Sequence, residues 1–272
     1  MKNEEMSFWE HLDVLRAVII KIIAVMVACG IVAFLFKEEL FEMVLAPKSS
    51  TFVTYRLLFS ISGYFIPTDG DPFYVQLVST GLAQQFILHV KTAFSVGAIL
   101  ASPYILYQLF RFVSPALYAN ERDYVVKVVG FGYLLFLMGI AVSYFIVFPL
   151  TFRFLGTYQV SAEVTNMITL DSYISTLMTM TLSMGIVFEI PVLSWLFAKL
   201  GFLSASFMRH YRKHAVVAIL SVAAVITPTS DVFTLLLVSA PMYLLYELSI
   251  LLVAHTERGV KEPAAEEGQR NG

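Results

Sequence analysis

The chain has 272 residues, of which 58% are hydrophobic and 14% are charged, and its mean hydropathy is +0.76. A soluble domain of this length needs more charge to cover its surface, so the composition excludes an ordinary soluble protein and is typical of a membrane protein. The net charge of −2 gives no reason to expect a nucleic-acid partner.

The first predicted element is an amphipathic helix that lies at the membrane surface and leads into the first span. Its apolar stripe consists of Phe8, Trp9, Leu12 and Leu15. Glu10 and Asp13 lie on the opposite side. Such a helix buries its apolar face at the boundary between headgroups and acyl chains.

Six apolar stretches follow as candidates for membrane-spanning helices, because about 20 apolar residues cross roughly 30 Å of hydrocarbon. The predicted spans are 17–36, 87–110, 124–148, 170–200, 215–226 and 232–253. We expect the fourth span to be kinked or tilted at Pro191. The last two spans are short, since residues 215–226 reach only about 18 Å and the uninterrupted apolar part of the sixth ends at Tyr246.

The remaining regions complete a single membrane domain over residues 1–254. A long outer loop, 47–86, contains aromatic residues such as Tyr55 and Tyr64, so we expect it to pack as a cap. Residues 255–272 form a polar tail that we expect to be disordered and cytoplasmic. With the N-terminus placed inside, thirteen of the 18 Lys and Arg residues fall in inner segments. The predicted fold class is therefore an all-α integral membrane protein with six transmembrane helices and both termini inside.

No catalytic or metal-binding pattern occurs in the sequence: it contains no HExxH, no GxSxG and no P-loop. His210 and His214 can share a helix face, but Arg209, Arg212 and Lys213 surround them. A cationic turn at the membrane surface is therefore a better interpretation than a metal site. We predict no cofactor and no enzymatic activity.

Two acidic residues occur where a membrane protein rarely places them. Glu189 lies well inside the fourth span, where an ionisable group costs roughly 2.5–3.5 kcal/mol, so it either faces a cavity, a partner or a proton path or is protonated and hydrogen-bonded inside the bundle. Asp231 lies near the tip of the last hairpin, where it can cap the sixth span and also serve a function.

Seven short motifs, in this order, resemble those of the TatC family. They are HLDVLR (11–16), AP (46–47), SPYILYQ (102–108), FVSPALYANER (112–122), YFIVFP (144–149), FEIP (188–191), and TP (227–228) with DVF (231–233) and PMY (241–243). The resemblance covers the chain from about Phe8 to Glu247. It implies the core subunit of the twin-arginine protein translocase in the cell inner membrane.

The resemblance also implies partners and a mode of action. Such a subunit binds twin-arginine signal peptides of folded precursors and moves these precursors across the bilayer with single-span TatA- and TatB-type proteins. It uses the proton-motive force and associates with further copies of itself. Glu121 then contacts the signal arginines, and Phe112 and Gln108 lie near the binding region. Glu189, Thr227 and Asp231 are the implied polar or partner-binding residues in the membrane.

One departure from the family pattern concerns the N-terminal motif. The family glutamate of this motif is replaced by Val14. Glu10 lies one helical turn before position 14 and shares its face, while Asp13 is adjacent in sequence. We expect Glu10, with or without Asp13, to supply the second acidic contact to the signal peptide.

Two other classes of function compete with this interpretation. A proton-coupled secondary transporter of small solutes could use Glu189, but it needs several more polar groups near the midplane. An intramembrane enzyme needs a nucleophile and a base at membrane depth, and Ser183 and His89 have no recognisable spacing for that role.

Overall fold

The structure, a computed structural model, describes residues 8–62, 75–113, 122–161, 163, 166–227 and 231–270. This part of the chain is almost entirely helical. Its helices are α1 (Phe8–Leu35), α2 (Lys37–Leu45), a 3-10 turn (Ala46–Lys48), α3 (Val53–Ser62), α4 (Gln84–Val113), α5 (Arg122–Val142), a π-helix (Ser143–Val147), α6 (Phe148–Thr157), α7 (Leu170–Val187), α8 (Ile190–Lys199), α9 (Ala205–His210), α10 (Arg212–Ile226) and α11 (Val232–Arg270).

Two short strands, β1 (Leu77–Val78) and β2 (Ile168–Thr169), pair in parallel. Leu77 lies opposite Ile168, and Val78 lies opposite Thr169. The ladder joins the long loop after α3 to the start of α7. It is too small to change the predicted all-helical class, which is confirmed.

Five helical segments in the described ranges are long and apolar enough to cross a membrane: Leu12–Leu35, Gln84–Phe112, Val128–Thr157, Leu170–Lys199 and Val232–Glu257. They overlap the predicted first four spans and the sixth, with bounds that differ by several residues. The predicted fifth span lies in α10, whose 15 residues extend about 22 Å. Six spans and the inside placement of both termini therefore stay predictions.

The predicted sixth span, 232–253, already includes Glu247, and the apolar helix continues through this residue to Glu257. The carboxylate of Glu247 accepts a hydrogen bond from Arg212 at 2.7 Å and one from Tyr243 at 3.1 Å. With its charge satisfied in this way, Glu247 is accommodated inside α11. The helix passes the predicted domain boundary at residue 254 and continues to Arg270, so the segment expected to be disordered is helical up to that residue.

The chain forms two compact units, of which the first comprises Met1–Met43 and Gly81–Leu134. In this unit α1 and α4 pack backbone to backbone at two glycines. A Cβ atom added to Gly97 would lie 2.5 Å from the amide nitrogen of Gly30 and 2.6 Å from its Cα. Small residues that permit such an approach are the usual basis of helix packing in membranes, where burial of apolar surface adds little.

The second unit comprises Val44–Thr80 and Leu135–Gly272. Its centre is an aromatic cluster in which Tyr173 contacts Phe148 and Phe152 edge to face, with ring centroids 5.1 and 4.9 Å apart. All three side chains are at most 5% exposed. Nearby, a Cβ on Gly139 would lie 2.5 Å from the carbonyl oxygen of Met184, so α5 and α7 also touch at a glycine.

The third predicted span continues past Pro149, although a proline usually ends a helix. In a continuous α-helix the amide of residue 149 would donate to the carbonyl of Phe145, and proline has no such donor. Here the hydroxyl of Thr54, in α3, donates to that carbonyl oxygen. The π-helix precedes Pro149 at this point, so the loop segment α3 repairs the interruption that the proline creates.

Candidate functional site

One face of the last turns of α4 carries three side chains at four-residue spacing. Gln108 is buried and its Nε2 donates a hydrogen bond to the hydroxyl oxygen of Tyr104, and Phe112 is half-buried. Residues four apart on a helix lie on one face, so Tyr104, Gln108 and Phe112 form one surface that leads to the end of α4 at Val113. The motif that identified Gln108 also contains Tyr104, but the sequence did not indicate that the two are bonded.

Glu121, the predicted contact to the signal arginines, lies outside the described residues. Its position in the chain is between the end of α4 at Val113 and the start of α5 at Arg122. Of the residues that the resemblance assigns to the binding region, Gln108 and Phe112 are therefore those whose environment is known.

Glu10 and Asp13 lie in the first turns of α1, and both side chains are exposed. Val14 is 41% exposed. Because Glu10 and Val14 are four residues apart in a continuous helix, their side chains lie on the same face. The exposed acid is thus one turn from the position where the family motif has its glutamate.

Glu189 lies at the interruption between α7 and α8 and is only 7% exposed. Its Oε1 atom has no hydrogen-bond partner in the described part of the chain. Pro191 lies in the first turn of α8, and the amide of Leu193 donates to the carbonyl of Glu189 at 2.9 Å. The backbone is therefore satisfied around this carboxyl group while one of its own oxygens is not, which is a costly arrangement inside a membrane.

Thr227 and Asp231 flank the connection between α10 and α11. The hydroxyl of Thr227, which is 5% exposed, donates to the carbonyl of Ala223 at 3.0 Å. Asp231 Oδ1 accepts the amide of Thr234 at 2.7 Å, which is the N-cap geometry predicted for it. Both residues therefore stabilise helix ends. Their role as polar or partner-binding residues in the membrane stays a prediction.

A cluster in the second unit was not anticipated from the sequence. The hydroxyl of Tyr55, in α3, lies 3.0 Å from the carbonyl oxygen of Pro47 and 2.9 Å from that of Pro149. The Arg153 guanidinium lies 6.0 Å from the centre of the Tyr55 ring. Burial raises the pKa of the Tyr55 hydroxyl above its ordinary value, and the charge of Arg153 offsets part of this rise.

Through this cluster and the Thr54 bond to Phe145, the described start of the loop predicted over 47–86 packs against the same unit. These contacts show which residues of the loop pack against the unit. In the sequence, the aromatic content of the loop was the only feature that indicated such packing. Within the described residues, no group of three or more His, Cys, Asp and Glu side chains could hold a metal ion.

These features define a multi-pass, all-helical membrane protein whose spans pack at glycines and contain a buried carboxyl group. The profile of the family described as "Sec-independent protein translocase protein (TatC)" matches residues 10–241. The chain therefore belongs to the TatC family, a non-enzymatic component of a protein translocase that also contains other Tat subunits.

Individual relatives agree with this assignment. The Sec-independent protein translocase protein TatC of Blattabacterium sp. subsp. Periplaneta americana (strain BPLAN) is 34% identical over 93% of this chain and 97% of its own length. The TatC protein of Aquifex aeolicus (strain VF5) is 33% identical over 94% and 98%. A crystal structure of the twin arginine translocase receptor TatC is 31% identical, covers 91% of this chain and all of its own, and superposes with a TM-score of 0.73.

Proposed function

We propose that this chain is the receptor subunit that binds twin-arginine signal peptides of folded precursors. The observation that carries the proposal is the similarity in fold and sequence, over nearly the whole chain, to a solved twin arginine translocase receptor. Glu121 is the proposed contact for the signal arginines, because a carboxylate can accept two parallel hydrogen bonds from a guanidinium and only one from an ammonium group.

The face of α4 that carries Gln108 and Phe112 supports a binding surface of limited polarity. Gln108 is bonded to Tyr104 and so has a fixed orientation, and Phe112 is half-exposed to contact an apolar part of the peptide. Glu10 and Asp13, exposed on α1, supply the second acidic contact in place of the residue at Val14. Charge-assisted bonds of this kind are about twice as strong as neutral ones.

Transport follows from assembly with TatA- and TatB-type single-span proteins and is driven by the proton-motive force. Glu189 is the proposed contact for a partner helix, since its Oε1 atom is buried without a bond in the described structure. Thr227 and Asp231 contribute polarity at the α10–α11 connection. The chain lies in the cell inner membrane with both termini in the cytoplasm, and it associates with further copies of itself.

A pull-down with two signal peptides tests the receptor function. The full chain in detergent is incubated with a precursor that has a twin-arginine signal and with the same precursor carrying two lysines. We expect retention of the first only, because a point-charge ammonium does not reproduce the paired bonds of guanidinium. Equal retention of both precursors would overturn the proposal.

The N-terminal acids are tested separately by photo-crosslinking of the twin-arginine peptide. We expect Glu10→Gln with Asp13→Asn to reduce crosslinking, and we expect the same of Glu121→Gln. The matched control is Glu38→Gln with Glu39→Gln, which removes two exposed acids from the start of α2. If the control lowers crosslinking as much as the first pair, only net charge matters and Glu10 and Asp13 have no specific role.

A further inference from the structure

A basic surface at the α9–α10 turn has no part in the function proposed above. Its members, which we call the basic turn, are Arg209, His210, Arg212, Lys213 and His214. All five side chains are exposed. The turn directly precedes the apolar part of α10, which is the predicted fifth span.

Ring contacts organise the basic turn. Tyr211, which connects α9 to α10, contacts Phe207 with ring centroids 4.6 Å apart. The same ring contacts His210 at 5.0 Å and His214 at 5.3 Å. The hydroxyl of Tyr246 in α11 donates to the carbonyl of Met208 at 2.8 Å and ties the turn to the neighbouring helix. The positive side chains therefore project from an ordered segment.

The acidic residues near this segment are already engaged. Glu247 accepts the 2.7 Å hydrogen bond from Arg212. Glu257 Oε1 accepts the amide of Ala205 at 3.0 Å. Within the described residues, Arg209 and Lys213 have no acidic partner. Two cations at the membrane surface are thus available for an external anion.

Exposed apolar side chains lie one helical turn below the cations. Val216 follows Arg212 by four residues, and Val217 follows Lys213 by four. Val217 is 65% exposed, and Phe207 beside the basic turn is 55% exposed. An occupant that satisfies both features carries a negative charge at one end and an apolar chain directly below it.

We propose that the basic turn binds the phosphate of an anionic phospholipid headgroup. Arg209 and Lys213 contact the phosphate, the Tyr211 ring contacts fix the turn around it, and the acyl chain lies along Val217. Arg212 remains bonded to Glu247. Each Lys or Arg near an anionic lipid surface strengthens binding of the lipid. The loss of both Arg209 and Lys213 therefore weakens lipid binding by about thirty-fold.

Native mass spectrometry of the full chain in a neutral detergent tests this proposal. Delipidated protein is titrated with phosphatidylglycerol and, separately, with phosphatidylcholine. We expect a bound phosphatidylglycerol whose affinity falls by about thirty-fold in Arg209→Gln with Lys213→Gln, to the level of phosphatidylcholine. The matched control, Lys37→Gln with Lys48→Gln, removes two exposed cations elsewhere and keeps the wild-type affinity.

Three outcomes would overturn the proposal. One is equal binding of the two lipids to the wild-type chain, and another is an equal loss of affinity in both double variants. The third is competition by millimolar inorganic phosphate, which would assign the site to free phosphate. A thermal melt of each variant without lipid confirms that it is folded, and Val217→Ser, which removes the apolar contact without adding a charge, gives a second and independent loss of lipid binding.

Discussion

Replacing Tyr55 by Phe removes one hydroxyl group and leaves an aromatic ring of the same shape in the same contacts. The hydroxyl lies within 3.0 Å of two carbonyl oxygens, those of Pro47 and Pro149. Pro149 lies in the first turn of α6, so its carbonyl keeps an intrahelical donor, whereas Pro47 lies in the 3-10 turn Ala46–Lys48. The variant therefore loses a buried hydrogen bond, and the carbonyl oxygen of Pro47 is left without the Tyr55 hydroxyl as a donor.

The magnitude follows from these two effects. A typical intramolecular hydrogen bond contributes about 0.5–1.5 kcal/mol, and a buried acceptor left unsatisfied costs about 1–3 kcal/mol. We expect Tyr55→Phe to lower the free energy of unfolding by about 2 kcal/mol, which is a factor of about thirty in the unfolding equilibrium. Reversible unfolding of the full chain in mixed micelles with increasing SDS measures this difference.

The matched control is Tyr158→Phe, which removes the hydroxyl of a tyrosine at the end of α6 that is 62% exposed. We expect a change within about 0.5 kcal/mol for it. If Tyr55→Phe also falls within that range, the hydroxyl does not hold the loop to α6 and the reasoning is refuted.

The same cluster predicts a pH dependence. Because burial raises the pKa of Tyr55, the folded chain favours the neutral phenol more strongly than the unfolded chain does. Its contribution to stability is then complete below the unfolded pKa of about 10 and is lost as the pH rises towards the folded value. We expect the difference between wild type and Tyr55→Phe to shrink above about pH 10, and a difference that grows there would contradict this sign.

Three further changes test other parts of the structure. Thr54→Val removes the donor to Phe145 and should destabilise the chain by about 1–2 kcal/mol, whereas Thr54→Ser keeps the hydroxyl and stays near wild type in the same SDS titration. Gly97→Ala forces α1 and α4 apart and should cost about 2 kcal/mol or more, while Gly130→Ala, with open space around its Cβ, should be neutral or stabilising. Glu189→Leu should leave stability unchanged or raise it, because it removes a buried carboxyl group, yet abolish transport of a twin-arginine reporter; lower stability with normal transport would contradict its proposed role.

The helical spans were predictable from the sequence because the length of an apolar run is set by the thickness of the bilayer. The interruption at Phe188 and Glu189 was also predictable, since Pro191 cannot donate within the preceding turn. The end of the third span was not. A proline such as Pro149 is expected to end a helix, but Thr54 donates to the carbonyl of Phe145 and the helix continues. Thr54 is 91 residues from Phe145 in the chain, so this contact cannot be derived from local sequence.

The same distinction applies to the candidate site. Motifs within α4 made Gln108 and Phe112 candidates, which stay predictions, and the N-cap geometry of Asp231 followed from its position before α11. The bond from Tyr55 to Pro149 and the engagement of Glu247 by Arg212 depend on residues that are distant in sequence. For that reason the sequence did not indicate these contacts, and the fifth span over 215–226 stays a prediction.

The π-helix Ser143–Val147 has a consequence for how this chain tolerates deletions. Its i to i+5 bonding uses one residue more than an α-helix needs over the same path. Deleting one residue within it would restore a regular α-helix over the same path and leave the residues after it in register, whereas deleting one residue within α5 would rotate everything after it by about 100°. The deletion in α5 would turn Phe148 and Phe152 away from Tyr173, so a one-residue deletion should be far less harmful within the π-helix than in the helix before it.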